Sequence, residues 1–199
     1  GSHRAGEWHF PSNWSLLNTL LMMCVMTFVF SNFFRSTIEN FPLFLICGQT
    51  LWNFFNESTT TAMRSIVANG SLIKKVYIPK YIFPLSRVLS CFVTMSFSLV
   101  AIVIVMIFTG ATFYWTVLLV GLPLLLLFIF CCGMALVLSS LSTYFNDITH
   151  LYGVFTVAWM YATPIFYDAS ILPETVGKVI FWNPMYQFIT LFRSLILHG

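Results

Sequence analysis

Between residues 88 and 146 there is no Asp, Glu, Lys or Arg, a charge-free run of about 59 residues. Few environments accept such a stretch. A water-soluble domain carries about 25% charged residues, whereas this chain of 199 residues is 59% hydrophobic and 8% charged. The run is long enough for two helices of about 20 residues and the loop between them, which is what a bilayer core of about 30 Å requires. Lipid is the solvent this sequence is written for, and lipid leaves closed barrels and helices as the spanning structures. The expected class is an all-α polytopic membrane protein.

Read in order, the sequence predicts five spanning helices over about 14–34, 42–69, 84–109, 115–138 and 151–165. Trp14 and the Tyr114-Trp115 pair suit the interfacial aromatic belts. The second helix is less apolar than the others. Asn56-Glu57-Ser58-Thr59-Thr60-Thr61 precede Arg64, and a helix reaching residue 69 would be about 42 Å long, so its end is read as projecting beyond the lipid. Glu57, Thr61 and Arg64 fall on one face by their spacing. Asn146 or Asp147 can cap the fifth helix, with His150 in its first turn. Thr163-Pro164 breaks that helix, after which Pro173 and Pro184 open short helices over about 173–182 and 184–197. Helices interrupted at membrane depth must pack on protein or line a cavity; a pair of external re-entrant helices meets that requirement. The alternative is a sixth span beginning at Pro184 and interrupted by Arg193. Residues 1–13 read as an atypical or cloning-derived lead-in.

Basic charge gathers at one turn. Lys74, Lys75, Lys80 and Arg87 follow the helix-stop pair Asn69-Gly70. Ser71 can cap a short helix over 72–77, and Pro79 removes Ile78 from the α region. Leu72, Ile73 and Val76 would lie on one side of that helix and the lysines on the other, as in a helix resting on a membrane surface or a partner. Arg64, Lys74, Lys75, Lys80 and Arg87 lie on this side; Arg35, Lys178 and Arg193 lie opposite, diluted by Glu39, Asp168 and Glu174. The positive-inside rule makes the basic turn cytoplasmic.

Catalytic chemistry is not legible. Gly177-Lys178 lacks the rest of a phosphate-cradling loop, and neither paired carboxylates nor metal-spaced histidines occur. Asp147 and His150 read as a cap beside an interfacial histidine rather than a catalytic pair, since no third polar group joins them. The five cysteines sit in apolar runs without metal-ligand spacing. A net charge of +3, placed by topology, does not form a nucleic-acid face. No catalytic, cofactor or metal residue is assigned.

The order of features resembles the membrane permease subunit of polysaccharide-type (type-2) ABC exporters, which move O-antigen, capsule or teichoic acid chains. The likeness is carried by Trp14-Ser-Leu-Leu-Asn18, Trp52-Asn-Phe-Phe55, Leu72-Ile-Lys-Lys75 with Pro79-Lys80, Asn146-Asp-Ile148, Thr163-Pro-Ile-Phe-Tyr167 and Asn183-Pro184. It implies six spans, of which the last is missing here, both ends in the cytoplasm, a homodimer around a pore, and residence in the bacterial cytoplasmic (inner) membrane. It implies a separate cassette ATPase that binds ATP and Mg and docks on Ser71, Leu72, Ile73, Lys74, Lys75, Val76, Tyr77, Pro79 and Lys80. It implies a lipid-linked polysaccharide as cargo. The external helices, with Pro164, Tyr167, Pro173, Trp182, Pro184 and Tyr186, would then narrow the outer mouth. Three departures are the lead-in, the absent final span, and Asn146 where the family often has arginine.

Aromatic residues form 18% of the chain. Rings stack on sugar faces, which makes Trp52, Phe54, Phe55, Trp159 and Tyr161 candidate pore contacts by depth, with Glu57 as a candidate acid on the path; lipid-facing rings and an acid already outside the hydrocarbon are the plainer readings. Export of another amphipathic substrate, a drug or a lipid, fits the same features. A secondary transporter or channel fits less well, because helices three and four hold no ionisable coupling residue.

Overall fold

A computed structural model describes residues 41–70, 79–109, 119–145, 147–167 and 174–197, together with helical backbone at 17, 21–22, 24–25 and 28–29. Six helices are defined among them: α1 Phe41–Ala68, α2 Ile82–Thr109, α3 Gly121–Tyr144, α4 Ile148–Ala162, α5 Glu174–Phe181 and α6 Pro184–Leu197. The described residues contain no strand. The stretch Ile82–Phe108 and α3 are each long and apolar enough to cross a membrane.

Helix α1 is the axis of the packing, touching α2, α3, α4 and α6. Most of its surface is buried, including Leu43, Ile46, Leu51, Phe55, Thr59 and Met63. Its neighbours each turn one stripe toward it. On α3 that stripe is Leu124, Leu127, Cys131, Ala135 and Leu138, repeating every three to four residues as one helical face does. The outer faces are apolar: Leu89, Val93, Val100 and Ile107 on α2, and Leu122, Leu125 and Ile129 on α3, are exposed. In α4 the inward positions are Tyr152 and Thr156, while Leu151, Val154 and Val157 face out. In α4 this places hydroxyl-bearing side chains inside and aliphatic ones outside, and the aliphatic outer faces of all three helices suit lipid.

The structure moves three expectations. The fourth predicted helix ends later than 138, its defined stretch running over Gly121–Tyr144; positions 115–118 of the expected span lie outside the described residues. Its last turns are polar, yet Ser139, Ser140, Ser142 and Thr143 donate back to carbonyls three or four residues earlier, which lets serine and threonine stay in a helix. At the start of α4, Asp147 occupies the cap position in αR geometry without a side-chain cap bond; Asn146 lies outside the described residues. Arg193, expected in the helix over 184–197 and counted among the outer charges, does lie in α6 but is buried there.

The proline signals fared better. Pro84 sits in the first turn of α2, and Pro184 is the first residue of α6, where a missing N–H costs nothing.

Candidate functional site

Three constellations organise the described residues. The first is an aromatic core. Phe55, fully buried, lies 5.1 Å from Trp159 and 5.6 Å from Trp52 between ring centroids, and stacks on Phe130 at 6.0 Å. Phe130 continues to Phe188 of α6 at 5.7 Å, so rings from α1, α3, α4 and α6 meet. Phe54 packs instead on Phe92, and Phe92 on Phe128. Of the six pore candidates, Trp52, Phe54 and Phe55 therefore turn their rings into the interior of this chain. Trp159 is half-buried, and Tyr161 and Glu57 are exposed.

The second constellation holds the break after α4. Asn183 Oδ1 accepts from Trp159 Nε1 at 2.9 Å and from the Met185 N–H at 3.0 Å, the latter being the N-cap bond of α6. Its Nδ2 donates to Thr163 Oγ1 at 2.8 Å. Arg193, only 8% exposed, reaches the same break: Nη1 donates to the Pro164 carbonyl at 3.0 Å and Nη2 to that of Ile165 at 2.8 Å. Its Nε donates to the Phe44 carbonyl at 3.1 Å, and the guanidinium lies 3.5 Å above the Phe44 ring. Gly48 makes this approach feasible, because a Cβ there would meet the guanidinium and stand 3.3 Å from Ile165 Cγ2. Carbonyls freed by a proline break must be re-satisfied in lipid; here a planar, five-donor side chain does so.

Of the predicted gate residues, Pro164 is buried within this clamp, Tyr167, Pro184 and Tyr186 are half-buried, and Trp182 is exposed. Partial burial pushes the Tyr167 phenol above its ordinary range, so it remains a neutral donor, directed at the Tyr161 carbonyl. Pro173 lies outside the described residues.

The third constellation is polar and runs along α1 and α2. Gln49, Thr50, Asn53, Asn56 and Glu57 of α1 face Cys91, Thr94 and Ser98 of α2 across a groove of about 270 Å³ that Met22, Phe54 and Met95 also line. Sequence reasoning named only Glu57 and Phe54 of this set. The signal was available in the spacing of Gln49, Asn53, Asn56 and Glu57, which puts four polar side chains on one helical side. Nearer the end of α1, Tyr152 donates to Thr59 Oγ1 at 2.8 Å and Ser142 to the Met63 carbonyl at 2.6 Å, so the hydroxyl run is packed against α3 and α4. A cleft of about 420 Å³ lies beside it, lined by Met63, Arg64, Val67, Ser142, Thr149 and His150.

The predicted docking residues Ser71, Leu72, Ile73, Lys74, Lys75, Val76 and Tyr77 lie outside the described residues. Pro79 and Lys80 are exposed, and the Pro79 carbonyl accepts from the Ile82 N–H at the entry to α2. Among the described residues no group of His, Cys, Asp and Glu could hold a metal, and the cysteines are free thiols.

Among the described residues, helices with outward aliphatic faces, a clamped proline break and polar stripes between them suit a membrane-embedded protein. The ABC-2 type transporter family matches residues 4–197, and the chain belongs to it. Among its relatives is an O-antigen export system permease protein RfbA of Klebsiella pneumoniae, 30% identical over 192 residues, which cover 94% of this chain and 72% of the relative. A protein of the same name from Myxococcus xanthus is 26% identical over 184 residues, covering 92% of this chain and 71% of that one.

Proposed function

We propose that this chain is the transmembrane subunit of an exporter that moves a lipid-linked polysaccharide of the O-antigen class across the bacterial cytoplasmic membrane, with ATP and Mg bound by a separate cassette ATPase. The observation that carries the reading is the 30% identity to an O-antigen export permease across 94% of the chain. The helices correspond to a multi-pass arrangement of five spans at about 14–34 and at α1 to α4, with α5 and α6 as re-entrant external helices. Two copies enclose the pore, the outer mouth being framed by Pro164, Tyr167, Pro173, Trp182, Pro184 and Tyr186.

Orientation gains support from Arg193. Once its charge is assigned to the buried clamp, the opposite side retains Arg35 and Lys178 against Arg64, Lys74, Lys75, Lys80 and Arg87, which deepens the bias that places the basic turn in the cytoplasm. That turn, Ser71 to Lys80, receives the ATPase, with Leu72, Ile73 and Val76 as the contact face. The polymer's contacts in the pore fall to the exposed Tyr161, Glu57 and the edge of Trp159 rather than to Trp52 and Phe55, whose rings are interior.

Co-expression with a cassette ATPase tests the reading in proteoliposomes. ATP-dependent appearance of a polyprenyl-linked glycan on the far side is the expected result. ATP hydrolysis that ignores this subunit would sink the assignment, and transport of lipid or drug without glycan would replace the cargo. Ile73→Asp with Val76→Asp should abolish co-purification of the ATPase while leaving membrane insertion intact; undiminished co-purification would refute the docking face.

A further inference from the structure

We propose that the groove between α1 and α2 is a binding site for the uncharged polyhydroxylated headgroup of a membrane-embedded amphiphile. Hydroxyls on α1 supply the first argument. Ser58, Thr59, Thr60, Thr61 and Ser65 all donate to a carbonyl three or four residues back, which is how a hydroxyl in a membrane helix satisfies itself. Thr50 Oγ1 makes no such bond, although the side chain is 3% exposed; Gln49 Oε1, on a side chain 8% exposed, is likewise without a partner. Both residues line the groove. Buried polar atoms are ordinarily satisfied, and an acyl chain offers them nothing. Two unpaired polar atoms packed into the wall of a groove leave hydrogen-bonding capacity that a ligand seated there can engage as the side chains turn toward it.

The lining says what that is. Gln49, Asn53 and Asn56 contribute carboxamides, each with paired donors and acceptors, and Thr50, Thr94 and Ser98 contribute hydroxyls. These groups match vicinal hydroxyls, which donate and accept in turn. Met22, Phe54 and Met95 in the same wall offer an apolar surface to the C–H face of a sugar ring. Glu57, exposed at the edge, repels phosphate, so the ligand's anionic linkage stays outside. From Gln49 to Glu57 the groove follows about 12 Å of helix, room for one ring rather than a polymer. The polyol site stands on these side chains alone; a lipid-linked glycan as its natural source rests on the export reading above, and an inositol phospholipid would present the same chemistry.

The experiment uses the full chain with its ATPase partner in lipid nanodiscs. A reporter thiol is placed by Thr94→Cys in a Cys91→Ser background, and alkylation at position 94 by N-ethylmaleimide is followed by mass spectrometry. A polyprenyl-pyrophosphate-linked disaccharide at roughly four times its Kd should slow alkylation about fivefold, since only the unoccupied fraction reacts. Gln49→Leu with Thr50→Val should remove that protection while the reporter still reacts, which shows that the groove persists. Protection by phosphatidylinositol and not by the disaccharide carrier supports the site and assigns it to a phospholipid headgroup. A reporter unaffected by both probes, protection that survives Gln49→Leu with Thr50→Val, or a reporter that never reacts overturns the proposal. None of these outcomes depends on transport, so failure here leaves the export reading intact.

Discussion

Replacing Arg193 by methionine should loosen the outer end of the molecule by about 3 kcal/mol, at the lower end of what breaking a buried hydrogen-bonded charge costs. Three carbonyls lose a donor: those of Phe44, Pro164 and Ile165. Phe44 lies inside α1, so its carbonyl keeps an intrahelical partner. Pro164 and Ile165 follow the end of α4, and each orphaned carbonyl costs about 1–3 kcal/mol. Loss of the contact with the Phe44 ring adds about 1–2 kcal/mol. Against these stands the relief of no longer burying a charge, several kcal/mol in principle, and methionine retains much of the stem's packing. For a chain of this size the net loss corresponds to a fall in Tm of about 6–12 °C, measured by thermal unfolding of the detergent-solubilised protein. Arg193→Lys should lose most of the same stability, because a point charge cannot bridge three diverging acceptors. Gly48→Ala supplies the independent check. It should destabilise the native chain and do little in the Arg193→Met background, giving a coupling of about 1–3 kcal/mol in a double-mutant cycle. If Arg193→Met unfolds within about 0.5 kcal/mol of the parent, or the two substitutions are additive, the clamp is not what holds the break.

Other sites give simpler expectations. Asn183→Ala removes a helix cap and two side-chain bonds, and should lower stability by about 2–3 kcal/mol in the same unfolding assay. Phe55→Ala empties the centre of the ring cluster and should cost about 3–5 kcal/mol, with Phe55→Leu recovering part of it. Tyr152→Phe deletes one hydroxyl bond to Thr59, whose own Oγ1 still donates to the Phe55 carbonyl; a loss near 1 kcal/mol is expected, and no change would mean the α1 to α4 link is slack.

How far these features could be read from the chain depended on whether their causes are local. Pro184 marks a helix start with chemistry contained in one residue, and α6 begins on it. The serine-rich end of α3 misled because polarity was taken for a loop, while bonds back to the preceding turn keep those hydroxyls helical. Arg193 was beyond reach. A charge counted along a sequence is counted as exposed, and only the meeting of residues 44, 48, 164, 165 and 193 shows that it is an internal brace. The rings of Trp52, Phe54 and Phe55 were correctly placed in the apolar part of the chain, but depth does not say whether a side chain faces a neighbour or a lumen.

The bond from Arg193 to Phe44 joins residues 149 apart in sequence, which bears on how the chain is made. α1 enters the bilayer early in synthesis, yet the place beside Gly48 stays unfilled until α6 has emerged. Until then the guanidinium is a charge without its cradle, and the Pro164 and Ile165 carbonyls lack the donors that make their depth tolerable. Insertion of α1 and closure of this clamp are thus separate events, and the second waits for α6. A nascent chain stalled before residue 193 would hold its apolar helices in the membrane with the outer end still open. In such a species the Pro164 and Ile165 carbonyls would still await the donors that Arg193 brings.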